Sequence, residues 1–261
     1  VAGVQVEHEG KKRCIRADRG VLLAAGGFDN NAALRERYLP HPTHPDWSCG
    51  NPFSTGDALQ MGLEAGVGLE FMDEAWWGPT VVVPGEERAR MLVIEKSLPG
   101  GVLVNKLGKR FVKETAAYND VVKAMYANHS DTSPCIPAYL VFDANFRRKY
   151  PAGPLLPGGQ QPDWLVNRDI RKRFIQKADS LEELAMMLGI DPHALSETIA
   201  RMNGFARSGK DPEFARGENA FDRFYGDKSV TPNPCMAPIE KPPFYGIEVY
   251  PGELGTKGGL K

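Results

Sequence analysis

Apolar and polar residues alternate at positions 1–6 and again at 13–17, and Glu9-Gly10 between them suits a tight turn, so the pattern predicts a β-hairpin. Residues 21–25 are apolar throughout and predict a strand ending in Gly26-Gly27. Asn30 or Asn31 can cap a helix over 33–38, and strand, glycine turn, helix is the order of a nucleotide-binding layer. A second helix is expected after Thr55-Gly56-Asp57, carrying Leu59, Met61, Leu63 and Ala65 until Gly66 stops it, with a strand over 69–72.

From about Trp76 the pattern changes, with Gly, Pro and Trp clustered, a strand pair expected at 92–94 and 101–105, and a turn at Leu107-Gly108. Residues 118–127 read as a helix and 138–143 as a strand, while Ser180-Leu181-Glu182-Glu183 is a capping box opening a helix to 188. Asp191-Pro192 opens another helix reaching about 207, and residues 209–243, rich in Gly, Pro, Asp and Asn, read as ordered surface loop. Residues 244–250 form a strand again. The fold class expected is α/β, with α+β character in the second of two domains: 1–76 from a first domain, 77–241 as a second, and 242–261 returning to the first.

Composition narrows the function classes. With 261 residues, 42% apolar and 25% charged, the chain can bury one large core or two smaller ones. Its 32 basic and 33 acidic residues nearly cancel, with no long run of either sign, which argues against nucleic acid as a partner. The longest apolar stretches fall far short of the roughly 20 residues that cross a bilayer, so no membrane span is expected; a cytoplasmic location follows, with peripheral membrane association left open. Cys14, Cys49, Cys135 and Cys235 have neither Cys-x-x-Cys spacing nor the density of a disulfide scaffold, and the five histidines show no metal spacing, so no metal is expected. The basic runs Arg147-Arg148-Lys149 and 168–172 read as solvated helix faces. The chain starts like a strand already under way and stops in a glycine-rich turn, so both ends are expected to be truncated.

The segment Gly108-Lys109-Arg110-Phe111-Val112-Lys113-Glu114-Thr115-Ala116-Ala117-Tyr118 resembles the signature that opens the capping domain of the succinate dehydrogenase and fumarate reductase flavoprotein superfamily. Ala24-Ala25-Gly26-Gly27 and Asn51-x-x-Ser54-Thr55-Gly56-Asp57 resemble two of its FAD-lining turns. Where fumarate reductases carry an arginine this chain has Tyr118, as does the 3-ketosteroid 1-dehydrogenase branch, which Asp73-Glu74-Ala75-Trp76-Trp77-Gly78-Pro79-Thr80 and Leu254-Gly255-Thr256-Lys257-Gly258-Gly259-Leu260 also resemble. The likeness covers nearly the whole chain. It departs at Lys113, where asparagine is usual, which puts the loop holding Tyr118 in question, and at Glu253, where aspartate is common.

The resemblance implies a partial FAD-binding Rossmann-like domain plus a capping substrate domain. FAD would be held by Ala25, Gly26, Gly27, Thr55, Gly56, Asp57, Gly255 and Thr256, and Trp76 and Trp77 would wall the site of a 3-ketosteroid. It implies 1,2-desaturation of that steroid, with Tyr118 taking the C2 proton, a flavin accepting hydride from C1, and an electron acceptor that the residues do not identify. Arg110 or Lys113 is the cation expected to help favour the phenolate. Two alternatives stay open: another FAD-dependent enone or ketone reductase or dehydrogenase of the superfamily, or an inactive fragment or subunit. The Gly-x-Gly-x-x-Gly turn for the ADP half of FAD is not among these residues, so the chain is expected not to hold FAD alone.

Overall fold

A computed structural model describes all 261 residues. The hairpin forms as β1 (Gly3–His8) and β2 (Lys11–Arg16), antiparallel, with Glu9 and Gly10 both at positive φ as a two-residue turn of this hand requires. Helix α1 (Ala32–Tyr38) is capped by Asn31, whose side chain accepts from the Leu34 amide at 3.1 Å, and α2 (Asp57–Glu64) follows. Next come β3 (Leu69–Glu70), β4 (Ala75–Val81), β5 (Arg90–Met91) and β6 (Gly101–Val104). The remaining elements are α3 (Tyr118–Ala127), β7 (Ala138–Phe142), α4 (Ala144–Lys149), α5 (Arg168–Arg173), β8 (Gln176–Ala178), α6 (Leu181–Leu188), α7 (Pro192–Ser208), α8 (Ala220–Tyr225), β9 (Phe244–Thr256) and β10 (Gly259–Leu260).

One antiparallel sheet, ordered β5-β4-β9-β7-β6 with β8 also on β9, organises the molecule. Strand β9 is its spine: residues 244–249 pair with β7 or β8, and residues 250–256 continue along β4. The alternation of side chains along β6 and β7 separates two cores. Val102, Val104, Tyr139 and Val141 join α6 and α7 on one face, while Leu103, Leu140 and Phe142 join α3, α4 and β4 on the other.

Several expectations need correction. Residues 21–25 form no strand, because no segment of the chain pairs with their backbone, and Leu22 and Leu23 are exposed. The strand of that pair expected at 92–94 lies instead at Arg90–Met91, and the long strand β4 is hidden in sequence by Gly78 and Pro79. Glu183 of the capping box reaches back to the Asp179 amide rather than to that of Ser180. The expected loop 209–243 contains α8.

The segment leading to α3 is fixed by a buried charge cluster. Glu114 is fully buried and receives Arg110 Nε (3.0 Å), Arg110 Nη2 (2.8 Å), the Leu103 amide (3.3 Å) and Arg216 Nη1 (3.1 Å). Arg110 also pairs with Asp211, and Arg216 donates to the carbonyls of Leu98 and Gly101, although its buried Nε has no hydrogen-bond partner. Burial works to raise the Glu114 and Asp211 carboxyls, but the guanidiniums outweigh it and hold both below their ordinary values of 4.5 and 3.8.

Glu114→Gln leaves Arg216 without a carboxylate, and the expected cost in urea denaturation is about 3–5 kcal/mol. Carboxyls held low by folding contribute stability that is complete above their ordinary range and lost as pH falls through it. The thermal midpoint of the natural protein should therefore drop as pH falls below about 4.5, and less steeply in Glu114→Gln. Parallel curves would remove Glu114 from the acid response.

Candidate functional site

Three separated pieces of chain meet beside α1 and α2. The Gly27 carbonyl accepts from the Gly56 amide (3.0 Å), the Ser54 carbonyl accepts from the Asn30 amide (3.0 Å), and the Asn31 side chain donates to the Thr55 carbonyl (2.9 Å). Thr256 Oγ1 accepts from the Phe28 amide at 3.0 Å. Gly27 is required by this approach: a Cβ there would stand 2.3 Å from Thr256 Oγ1. Behind the junction, fully buried Arg35 of α1 clasps Glu253 of β9 at 2.7 and 3.1 Å and donates to the Asp29 carbonyl at 2.8 Å, so Glu253 pins the turn from inside.

Ala25, Gly26, Gly27, Thr55, Gly56, Asp57, Gly255 and Thr256 thus form one neighbourhood. Gly26 and Gly56 are left-handed (φ +84° and +86°), and no side chain caps α2, whose first amides lie at the positive end of the helix dipole. A surface stripped of side chains next to an uncapped helix start fits a phosphate-bearing, flat-ringed cofactor such as FAD.

The second half of the site is a cleft of about 380 Å³ walled by Trp76, Val93, Phe221 and Tyr225, into which Tyr118 projects from the first turn of α3. The register between β4 and β9 slips by one residue between Ala75 and Trp77, and the side chain of Trp76 at this irregularity is 56% exposed against the cleft. Ala75 pairs with Thr256, and Lys257, the next residue, lines the cleft with its ammonium 4.8 Å from the centre of the Trp76 ring. Cleft and glycine junction are therefore adjoining.

The residues around Tyr118 are held from beneath. Lys96 Nζ is buried and donates to the carbonyls of Glu114 (3.0 Å) and Ala116 (2.7 Å); burial, then Arg216, lowers its pKa to about 8. Thr115 Oγ1 is buried behind the cleft wall without a hydrogen-bond partner.

Two expectations change. Trp77 points to the opposite face of β4, 2% exposed and edge-on to Tyr126 at 5.5 Å, so it belongs to the core and does not wall the cleft. Arg110 and Lys113 do not line the cleft either, since Arg110 is committed to Glu114, Asp211 and Glu213 and Lys113 pairs with Asp222 at 3.3 Å. The unusual lysine thereby ties α8 to the Tyr118 segment. Sequence reasoning missed Lys96, Thr115, Phe221, Tyr225 and Lys257 as cleft residues; the four-residue spacing of Phe221 and Tyr225 was the available signal for that pair.

The FAD binding domain family model matches residues 1–261. A 3-oxosteroid 1-dehydrogenase of Mycobacterium tuberculosis is 40% identical over 270 residues, covering 100% of this chain and 47% of the relative. A 4-oxocyclohexanecarboxylate 2-dehydrogenase of Sinomonas cyclohexanicum is 33% identical over 253 residues, covering 94% of this chain and 42% of the relative. The crystal structure of 3-ketosteroid delta1-dehydrogenase from Sterolibacterium denitrificans in complex with 1,4-androstadiene-3,17-dione matches with a TM-score of 0.94 and 45% identity, over 99% of this chain and 46% of that one. The chain spans about half the length of the curated relatives it matches.

In the full-length protein, Gly27→Ala should abolish flavin retention, measured as the flavin-to-protein absorbance ratio after purification, and adding Thr256→Ala should restore part of it by removing the clashing hydroxyl. A fully yellow Gly27→Ala protein would show that this junction is not where the cofactor rests.

Proposed function

The chain belongs to the FAD binding domain family, and from that premise we propose that it carries the core of an FAD-dependent dehydrogenase that introduces a C1–C2 double bond into 3-ketosteroids. One observation carries the reading: a phenol, Tyr118, stands in a mostly apolar cleft adjoining the glycine junction. The steroid dehydrogenases similar to it over its whole length support the same choice.

Ala25, Gly26, Gly27, Thr55, Gly56, Asp57, Gly255 and Thr256 hold the FAD in this reading, and the chemistry FAD supplies when bound is acceptance of hydride from C1. Tyr118 takes the C2 proton, which the neighbouring 3-keto group acidifies. A phenol acts as a base only after giving up its own proton, which ordinarily needs a pH near 10. Lys96 and Lys257 line the same cleft as Tyr118, whereas Arg110 and Lys113 do not. Trp76, Phe221 and Tyr225 offer flat apolar area to the rings, and Trp77 contributes by fixing β4 against α3. A second reading, oxidation of a smaller cyclic ketone bearing a carboxylate, is favoured by those two cations and by the Sinomonas relative.

In dye-coupled assays of the FAD-loaded protein with a 3-ketosteroid, Tyr118→Phe should lower kcat by about 10²–10⁴-fold with flavin still bound. Trp76→Ala should act mainly on KM. Undiminished turnover by Tyr118→Phe would remove the phenol from the reaction, and turnover of 4-oxocyclohexanecarboxylate with none of the steroid would replace the first reading by the second.

A further inference from the structure

Helix α8 supplies one wall of the cleft, yet an apolar face is not what holds it in place. Phe221 and Phe224 are 49% and 77% exposed, and the one buried residue of the helix is Asp222. Phe221 and Tyr225 meet edge-on with ring centres 5.3 Å apart and line the cleft together. A short helix that buries no apolar stripe gains little from packing, so its position depends on its polar ties.

Those ties fall into two sets. Asn219 caps the helix by accepting from the Asp222 amide (2.8 Å), Arg223 Nε donates to the Gly217 carbonyl (2.8 Å), the Gly217 amide donates to Asp222 Oδ2 (2.9 Å), and Cys235 Sγ donates to the Asp222 carbonyl (3.2 Å). All of these run within residues 217–235, the stretch to which α8 itself belongs. Lys113 alone reaches in from elsewhere: its Nζ stands 3.3 Å from the same Asp222 Oδ2. It thereby joins α8 to the segment that supplies Ala116, Ala117 and Tyr118 to the cleft, next to the fixed point at Glu114. The side chain of Asp222 is 1% exposed and its Oδ1 has no hydrogen-bond partner, so Lys113 is the cation that makes this buried carboxylate tolerable. Asparagine, usual at this position in the superfamily, would be shorter and neutral and could not supply that charge.

We propose that Lys113 is a positioning residue for the substrate: through its pair with Asp222 it sets where Phe221 and Tyr225 stand, and so how closely the cleft fits an apolar ring system. The consequence for substrate rests on the reaction proposed above, while the placement of α8 does not. The test compares the natural full-length, FAD-loaded protein with Lys113→Met, Lys113→Arg and Lys113→Met/Asp222→Asn. In Lys113→Met, hydrogen–deuterium exchange of residues 217–227 should quicken by at least about tenfold while that of α3 stays unchanged. In steady-state dye assays with 4-androstene-3,17-dione, its KM should rise at least about tenfold with kcat altered less than about threefold. Lys113→Arg should restore both. The double variant should recover the thermal midpoint lost when Asp222 is left unpaired, yet keep the fast exchange and the raised KM, which separates placement from stability. Unchanged exchange of residues 217–227 in Lys113→Met, a loss of kcat as large as the loss of kcat/KM, or a normal KM in the double variant would overturn the proposal. If the natural protein itself leaves the dye unreduced with the steroid, the reaction assigned above falls, and the exchange comparison alone decides the placement of α8 by the same criterion.

Discussion

Glu114, gripped by Arg110 and Arg216 in a fully buried site, is the interaction on which the rest of the arrangement depends. A lone carboxylate so placed would be strongly destabilising; with two guanidiniums and the Leu103 amide around it, the site becomes a fixed point with little freedom to rearrange. It joins the edge strand β6 through Leu103, the segment after α7 through Arg216 and, by way of Arg110, Asp211. Four residues later the chain enters α3 with Tyr118 at its first position. Lys96 extends the same frame by donating to the backbone on either side of Thr115. The phenol is thus presented by a backbone tied at several points, as the proton transfer proposed for it would require.

A second fixed point, Arg35 with Glu253, does for the glycine junction what Glu114 does for the cleft. Both ends of the site converge on β9 and its partner β4: Thr256 closes the junction, Ala75 pairs with it, and the register slip beside Ala75 turns Trp76 outward while Trp77 turns in. One strand pair therefore sets the spacing between the glycine junction and the cleft.

Much of this was legible in the residues. Local signals specified local structure: Asn31, Ser180 and Asp191 cap the helices expected of them, and α3 spans the stretch its pattern predicts. The glycine turns and Tyr118 stood out by resemblance. What escaped was set by distant partners. Residues 21–25 look like a strand, but a strand needs a neighbour, and none is present in the chain. Arg110 looked available to the phenol because Asp211, which claims it, lies 101 residues away. The bend that separates Trp76 from Trp77 depends on a slip against β9, about which adjacent tryptophans in sequence say nothing.

The most direct test of the central claim is a crystal structure of the FAD-loaded protein with a 3-ketosteroid bound. The Tyr118 hydroxyl should lie within about 3–3.5 Å of the steroid C2, with Trp76 against the rings and the Glu114 cluster unchanged. A steroid seated elsewhere, or a Tyr118 side chain turned to bulk water with ligand in the cleft, would contradict it.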